Sequence, residues 1–302
     1  MEYGPGTLVT MLDDDDPGPI VQRLIFGAEM AELRGKAGFS VDEANVTIGE
    51  RLAVNPAAKR GWYRGKLGKI ENGDLNISDV ELDVAFALYG VGGSKASEIR
   101  TLAVEARRRQ TPIRVPDHGR KYIWLERAAD EIRQFFAITV PGNLQTAEYA
   151  LMQMSTSLVM APVDLPEMAA GRVARGDRFA ADEKRVLHTV IGEAALRTPI
   201  MNPGVMRGQL DRLLALAERP NITIQVVPME VGLQASLEHS YSLLHIARAR
   251  TTIVYVESLT TADYLPRPPH TTTYGLAFEK AQSLALGPAA SVDLIRSISG
   301  DL

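Results

Sequence analysis

Apolar residues recur every three or four positions from Phe26, at Phe26, Met30, Leu33 and Ala37, which lines them along one face of a helix that Gly38 is suited to end. The next segment, Ser40-Val41-Asp42-Glu43, has the spacing of a capping box, in which serine and glutamate satisfy the first free N–H groups of a second helix. Val41, Ala44, Ile48 and Leu52 continue it until Asn55-Pro56 breaks the period. Leu67 and Ile70 then mark a short amphipathic helix closed by Asn72-Gly73. A second capping box, Ser78-Asp79-Val80-Glu81, opens a helix whose apolar face is Ala85, Leu88 and Tyr89. One more helical stretch covers 95–108, so residues 21–109 read as an all-helical domain joined by short turns. Residues 1–20, rich in Gly, Pro and Asp, hold too little apolar surface to offset the entropy of ordering and read as a disordered leader.

The texture changes after residues 110–120, which read as a linker marked by the basic run at 107–109 and by Pro112 and Pro116. Helical patterns lie near 120–137, 144–156, 203–218 and 271–286. Stretches rich in Val, Ile, Thr and Tyr at 184–191, 222–229, 241–246 and 251–256 have the length of strands. The last three strand candidates are joined by short segments suited to hairpins, which predicts an α+β domain over 121–302 with an antiparallel sheet.

The chain's 302 residues, 45% hydrophobic and 23% charged, suit two globular domains. No apolar run approaches the roughly eighteen residues that span a bilayer, and no basic-then-apolar leader opens the chain; a cytoplasmic protein with no membrane partner is expected. The absence of cysteine excludes disulfides, thiolate nucleophiles and sulfur-ligated zinc. A net charge of −4 argues against a surface that coats nucleic acid throughout, so the distribution of charge matters more than its sum. An acidic run occupies 13–16, whereas residues 59–69 carry Lys59, Arg60, Arg64, Lys66 and Lys69 with no acid among them.

Cations that open a short amphipathic helix suit the second helix of a helix-turn-helix, which enters the major groove and meets base edges and phosphates. The stretch Gly61-Trp62-Tyr63-Arg64-Gly65-Lys66-Leu67-Gly68-Lys69-Ile70-Glu71-Asn72-Gly73, with Ala37-Gly38-Phe39-Ser40 upstream, resembles the phage-repressor-like (xenobiotic-response-element type) helix-turn-helix regulators. The resemblance implies that Tyr63, Arg64 and Lys66 face bases, that Lys69 meets a phosphate, and that Leu67 and Ile70 face the core. Between Ser40 and Glu71 the chain has roughly a dozen residues more than that pattern, most simply placed around 53–60. Lys59 and Arg60 in this insertion add backbone contacts, or the insertion marks a degenerate reader. Gly65 and Gly68 are each expected to weaken the helix by about 1 kcal/mol relative to alanine.

Further along, Leu125-Glu126, Ile132-Arg133, the run Val140-Pro141-Gly142-Asn143-Leu144-Gln145-Thr146-Ala147-Glu148-Tyr149-Ala150, Glu193-Ala194-Ala195-Leu196-Arg197, 209–224 and 254–260 resemble the large C-terminal domain attached to such regulators in actinobacteria, some of them antitoxin-like. That family more often has leucine at position 143. The resemblance implies a DNA-binding transcriptional regulator whose C-terminal domain receives a signal from a small protein partner or an effector. The alternatives are an antitoxin-like interaction module with vestigial DNA binding and a small-molecule-sensing repressor. From the residues alone, Pro141-Gly142 reads as a tight turn and 143–149 as the start of a helix, a fold-defining corner. A single short recognition helix reads few base pairs, so a homodimer on double-stranded DNA is expected.

An enzyme has little support. His118, His188, His239, His245 and His270 lack the spacing of a zinc-binding helix, and neither a nucleophile elbow nor a phosphate-binding glycine loop is present. Glu193 and His188 lie five apart, which on a strand directs them to opposite faces. No catalytic residue, cofactor or metal is expected.

Overall fold

The computed structural model of the chain describes residues 18–58, 61–108, 117–198, 200 and 202–302. The chain divides into two units between Thr111 and Pro112. The N-terminal unit consists of α1 (Gly18–Lys36), α2 (Val41–Ala53), α3 (Lys66–Glu71), α4 (Asp79–Tyr89) and α5 (Gly93–Ala106). Helix α1 starts earlier than the apolar spacing from Phe26 predicts. Gly18, Pro19 and Ile20 are buried with Val21, Leu24 and Ile25, so residues 18–20 belong to the helix rather than to a leader; residues 1–17 lie outside the described residues.

Both capping boxes form. Ser40 Oγ accepts from the Glu43 N–H at 3.2 Å while Glu43 accepts from the Ser40 N–H at 2.9 Å. Ser78 and Glu81 do the same at the start of α4, which ends at Gly90 in the left-handed region, φ 69°. Phe26 and Met30 of α1, Ile48 of α2, Leu67 and Ile70 of α3, Leu82 and Phe86 of α4 and Ile99 of α5 meet in one core. Helix α3 has only six residues, too few for a stable isolated helix; its two buried side chains hold it to its neighbours.

The C-terminal unit runs α6 (Asp117–Ala128), β1 (Glu131–Phe136), α7 (Ala147–Ser155), α8 (Leu165–Ala181), β2 (Val186–Gly192), α9 (Glu193–Arg197), α10 (Pro203–Ala217), β3 (Ile222–Val227), β4 (Tyr241–Ile246), β5 (Thr251–Glu257), β6 (Ala262–Leu265), α11 (Pro268–Leu284) and α12 (Pro288–Gly300). The strands form one sheet in the order β3-β2-β1-β4-β5-β6. The α+β class holds, but the sheet is mixed rather than antiparallel. β1 pairs parallel with β2 and β2 with β3, whereas β1–β4, β4–β5 and β5–β6 are antiparallel. The helices between β1 and β2, and between β2 and β3, supply the crossovers that parallel pairing requires.

Two boundaries also move. Helix α6 begins at Asp117, so residues 117–120 are helical rather than linker, and residues 110–116 lie outside the described residues. The helical pattern expected near 120–137 stops at Ala128 and gives way to β1, where Ile132, Gln134 and Phe135 are all buried. A strand flanked on both edges and covered on both faces loses the alternation that would announce it. Helices α8 and α12 and strand β6 are not anticipated by the apolar spacing.

Directly paired residues share a face of the sheet. Thr189, Gln134, Ser242, Tyr255 and Tyr264 form one polar row across β2, β1, β4, β5 and β6. On the opposite face, Phe135, Val190, Tyr241, Leu243 and Val254 pack with Phe278 and Ala281 of α11. Among the described residues, no helix is long and apolar enough to cross a membrane.

His188 sits on that α11 side, its ring edge-on to Phe278 at 5.1 Å and its Nε2 2.8 Å from Gln225 Oε1. Gln225 donates its own amide to Leu286 O, which leaves its oxygen to accept from the imidazole. Burial, the largest influence, lowers the His188 pKa below 6.5; Gln225 and Glu131 act upward and Arg133 downward. The folded protein therefore keeps this ring neutral where the unfolded chain protonates it. The associated stability is present above pH 6.5 and is lost as pH falls from there through the lowered folded value. The expected slope is at most about 1.4 kcal/mol per pH unit for one proton. Thermal unfolding of wild type and His188→Gln over that range measures it: the variant should lose this part of the pH dependence, and parallel curves would remove His188 as its source.

Candidate nucleic-acid interface

Three ties fix the start and end of α3. At its end, Glu71 accepts a bidentate pair from Arg34 of α1, Nε to Oε1 at 2.7 Å and Nη2 to Oε2 at 3.0 Å, while Arg34 Nη1 donates to Phe39 O at 2.7 Å. Both side chains of this ion pair are largely buried. One guanidinium thus joins α1, the turn before α2, and the end of α3. At its start, Asn45 of α2, almost fully buried, accepts from the Leu67 N–H at 3.0 Å and donates to Tyr63 O at 3.3 Å. The Trp62 indole donates to Asn45 O at 2.9 Å. The long connection between α2 and α3, residues 54–65, is therefore stitched back to α2 just before α3 begins. Asn45 and Arg34 escape sequence reading because nothing local distinguishes them from solvated polar residues on a helix.

Gly65 lies outside α3, at its N-cap, with φ 82°. A residue with a side chain is disfavoured in that region, so glycine here permits the turn into the helix instead of weakening it.

The expected contact residues divide. Tyr63, Arg64 and Lys69 are exposed, and Lys69 Nζ lies 5.6 Å from the centre of the Tyr63 ring, which places aromatic and cation on one surface. Lys66 departs from the expectation. Its Nζ is 2.6 Å from Glu81 Oε1, with both side chains largely shielded from solvent, and it also donates to Gly61 O at 3.3 Å and lies over the Trp62 ring. Glu81 uses its second oxygen for the α4 capping box, so Lys66 is neutralised within the fold. Lys59 and Arg60 lie outside the described residues.

In the C-terminal unit, residues 140–146 form a corner as expected, but with a single 3-10 turn at Gly142–Leu144, and α7 starts at Ala147 rather than at 143. Buried amides hold it from several sides. Asn143 and Gln134 of β1 exchange bonds at 3.0 and 3.4 Å, and Gln134 also donates to Thr189 Oγ1 at 2.9 Å. Gln209 of α10 donates to Leu144 O and accepts from the Thr146 N–H, both at 2.8 Å. Thr146 caps α7 by accepting from the Tyr149 N–H. Asparagine at 143 is thus a partner of Gln134, where a leucine would leave that buried amide short of one acceptor. Glu193 turns to Arg197 at 2.6 Å and to the Met229 N–H at 2.9 Å, away from His188, whose bond goes to Gln225.

A second group, drawn from separate stretches of the sequence, stands over this corner. Arg172 and Arg175 project from α8, Gln145 and Gln153 from the corner and α7, and Tyr122 and Glu126 from α6. Arg175 pairs with Glu126, which also accepts from the Tyr122 hydroxyl at 3.1 Å. Tyr122 packs on Tyr255 with ring centres 4.4 Å apart, and Tyr255 on Tyr264 at 5.2 Å.

Residues 119–297 match the family described as Domain of unknown function (DUF5753). No curated protein and no solved structure matches the chain.

Proposed function

The chain belongs to the DUF5753 family through its C-terminal unit, and we propose that the whole is a cytoplasmic DNA-binding transcriptional regulator in which α2 and α3 act as a helix-turn-helix. The observation that carries this reading is the exposed surface formed by Tyr63 and Arg64 in the turn before α3 and Lys69 on α3, a short helix clamped by the Arg34–Glu71 and Asn45 ties. A rigidly held helix gives up little further entropy when it enters a groove, and exposed cations beside an exposed tyrosine meet phosphates and base edges. Lys66, already engaged by Glu81, positions the segment and contributes no counterion release.

Titration of a duplex carrying the protein's own upstream region, by fluorescence anisotropy over a range of salt, tests the reading. Wild type should bind with an affinity that falls steeply with salt. Arg64→Ala with Lys69→Ala should flatten the log–log slope by about 2, one for each cation removed, and should cost about 1–3 kcal/mol for each base edge that is no longer bonded. Light scattering of the complex should give two chains per duplex, since one short helix reads few base pairs. Salt-insensitive binding, or an unchanged slope in the double variant, would exclude this surface as the reader.

The C-terminal unit is proposed to receive the controlling signal, with a small protein partner as the first candidate. Exposed apolar side chains support a partner there: Ile138 after β1, Met229 and Leu233 after β3, and Leu259 between β5 and β6. The strand directions place all three connections at one end of the sheet. The same exposure favours the second reading, an antitoxin-like module with vestigial DNA binding. Retention or loss of duplex affinity separates the two.

A further inference from the structure

Arg172 is a partly buried guanidinium with an unusual set of partners. It donates through Nη1 alone, to Gln145 Oε1 at 2.7 Å and Gln153 Oε1 at 2.9 Å, and has no carboxylate within ion-pair distance among the described residues. Among the described residues its Nε and Nη2 find no acceptor, and neither atom is sealed from solvent. The nearby Glu126 is already occupied by Arg175 and Tyr122. Burial and then the adjacent Arg175 act against the charged form of Arg172, with Glu257, Glu126 and Tyr149 acting the other way. A guanidinium stays protonated under such pressure, so the arrangement holds a cation without a counter-ion of its own.

Its orientation is fixed from below. The Arg172 stem lies over Gly142, where an added Cβ would stand 3.5 Å from Arg172 Cδ. Gln145 is fully buried and donates to both Val140 O and Gln153 Oε1, so neither amide oxygen that receives Arg172 is free to rotate away. The corner follows β1, and β1 is the strand at which the sheet order reverses: the chain proceeds from β1 to β2 and β3 on one side, then returns to β4 on the other.

We propose that Arg172 anchors a binding site for a small organic anion, whose carboxylate or phosphate meets the free Nε–Nη2 edge of the guanidinium. The planar fork matches two oxygens of either head group, which explains an arginine here rather than a lysine. The site adds a ligand class to the regulatory reading and does not depend on DNA binding, since every group in it belongs to the C-terminal unit.

Calorimetric titration of the full chain with benzoate and, separately, phenyl phosphate at fixed ionic strength tests the site, with sodium chloride as the blank. Saturable binding of at least one probe is expected, and the probe that binds identifies the head group. Arg172→Lys should weaken it at least tenfold and Arg172→Gln should abolish it, while Arg207→Gln, on the exposed side of α10, should leave it unchanged. Circular dichroism establishes that each variant is folded, and Arg172→Lys, which keeps the charge, carries the test if Arg172→Gln does not fold. No saturable heat from either probe overturns the proposal. So does undiminished binding in a folded Arg172 variant.

Discussion

Arg34→Ala is expected to unfold the N-terminal unit far below its wild-type midpoint. The substitution removes both bonds to Glu71 and the bond to Phe39 O, and leaves a carboxylate that is only 7% exposed without its cation. Removing one member of a buried pair typically costs about 3–5 kcal/mol, because the remaining charge keeps its desolvation penalty. That is comparable with the whole stability of a small domain, about 5–15 kcal/mol. Arg34→Met with Glu71→Leu, which removes both charges and keeps apolar bulk, should be far less destabilising than the single change. The two tryptophans give separate signals, Trp62 in the first unit and Trp124 in the second. Denaturant unfolding of the Trp124→Phe background reads the first unit alone through Trp62. A midpoint for Arg34→Ala equal to the background's would mean that the pair contributes nothing to the unit. A double variant as unstable as the single would assign the loss to shape rather than charge. Because α3 ends on Glu71, the same substitution should release the surface that carries Arg64 and Lys69, so DNA affinity and stability are expected to fall together.

What could be read from the chain beforehand divides by the distance over which each feature is determined. The capping boxes at Ser40–Glu43 and Ser78–Glu81 close within three residues, and both form as their spacing predicts. Strands β3, β4 and β5 carry runs of β-branched and aromatic residues that announce themselves. Strand β1 does not: its partners β2 and β4 lie far along the chain, and its burial on both faces erases the period that distinguishes a strand from the end of α6. The parallel half of the sheet is illegible for a related reason. Helix α8, part of the crossover from β1 to β2, carries Gly171 and Gly176, which weaken its helical signal; Gly176 lies against Asn143 of the corner, a close approach that no local pattern announces. In the candidate interface, a basic run identifies the segment but not the fate of each cation. Lys66 and Lys69 look alike in sequence, and only Glu81, fifteen residues on and on another helix, makes Lys66 internal. Arg172 and Gln145, twenty-seven residues apart, are joined by the same kind of tertiary pairing.

Gly176→Ala is expected to destabilise the C-terminal unit by about 3 kcal/mol or more, although alanine is the better helix former by about 1 kcal/mol. A Cβ built on Gly176 would stand 2.1 Å from Asn143 O and 3.0 Å from Asn143 C. Both atoms are backbone, so no side-chain rotation relieves the overlap. Either α8 moves away or the corner opens, and the corner is held by the bonds of Asn143 to Gln134 and of Leu144 and Thr146 to Gln209. Gly208, inside α10 and exposed, provides the matched control: a Cβ there meets nothing within 4 Å. Gly208→Ala should therefore stabilise the unit by about 0.4–1 kcal/mol, through the smaller conformational freedom of the unfolded chain. Unfolding followed by Trp124 in a Trp62→Phe background compares the two. Opposite signs for the same chemical change would show that close approach, and not helix propensity, requires glycine at 176. A Gly176→Ala variant at least as stable as its background would mean that α8 does not touch the corner, and would remove the support on which Arg172 rests.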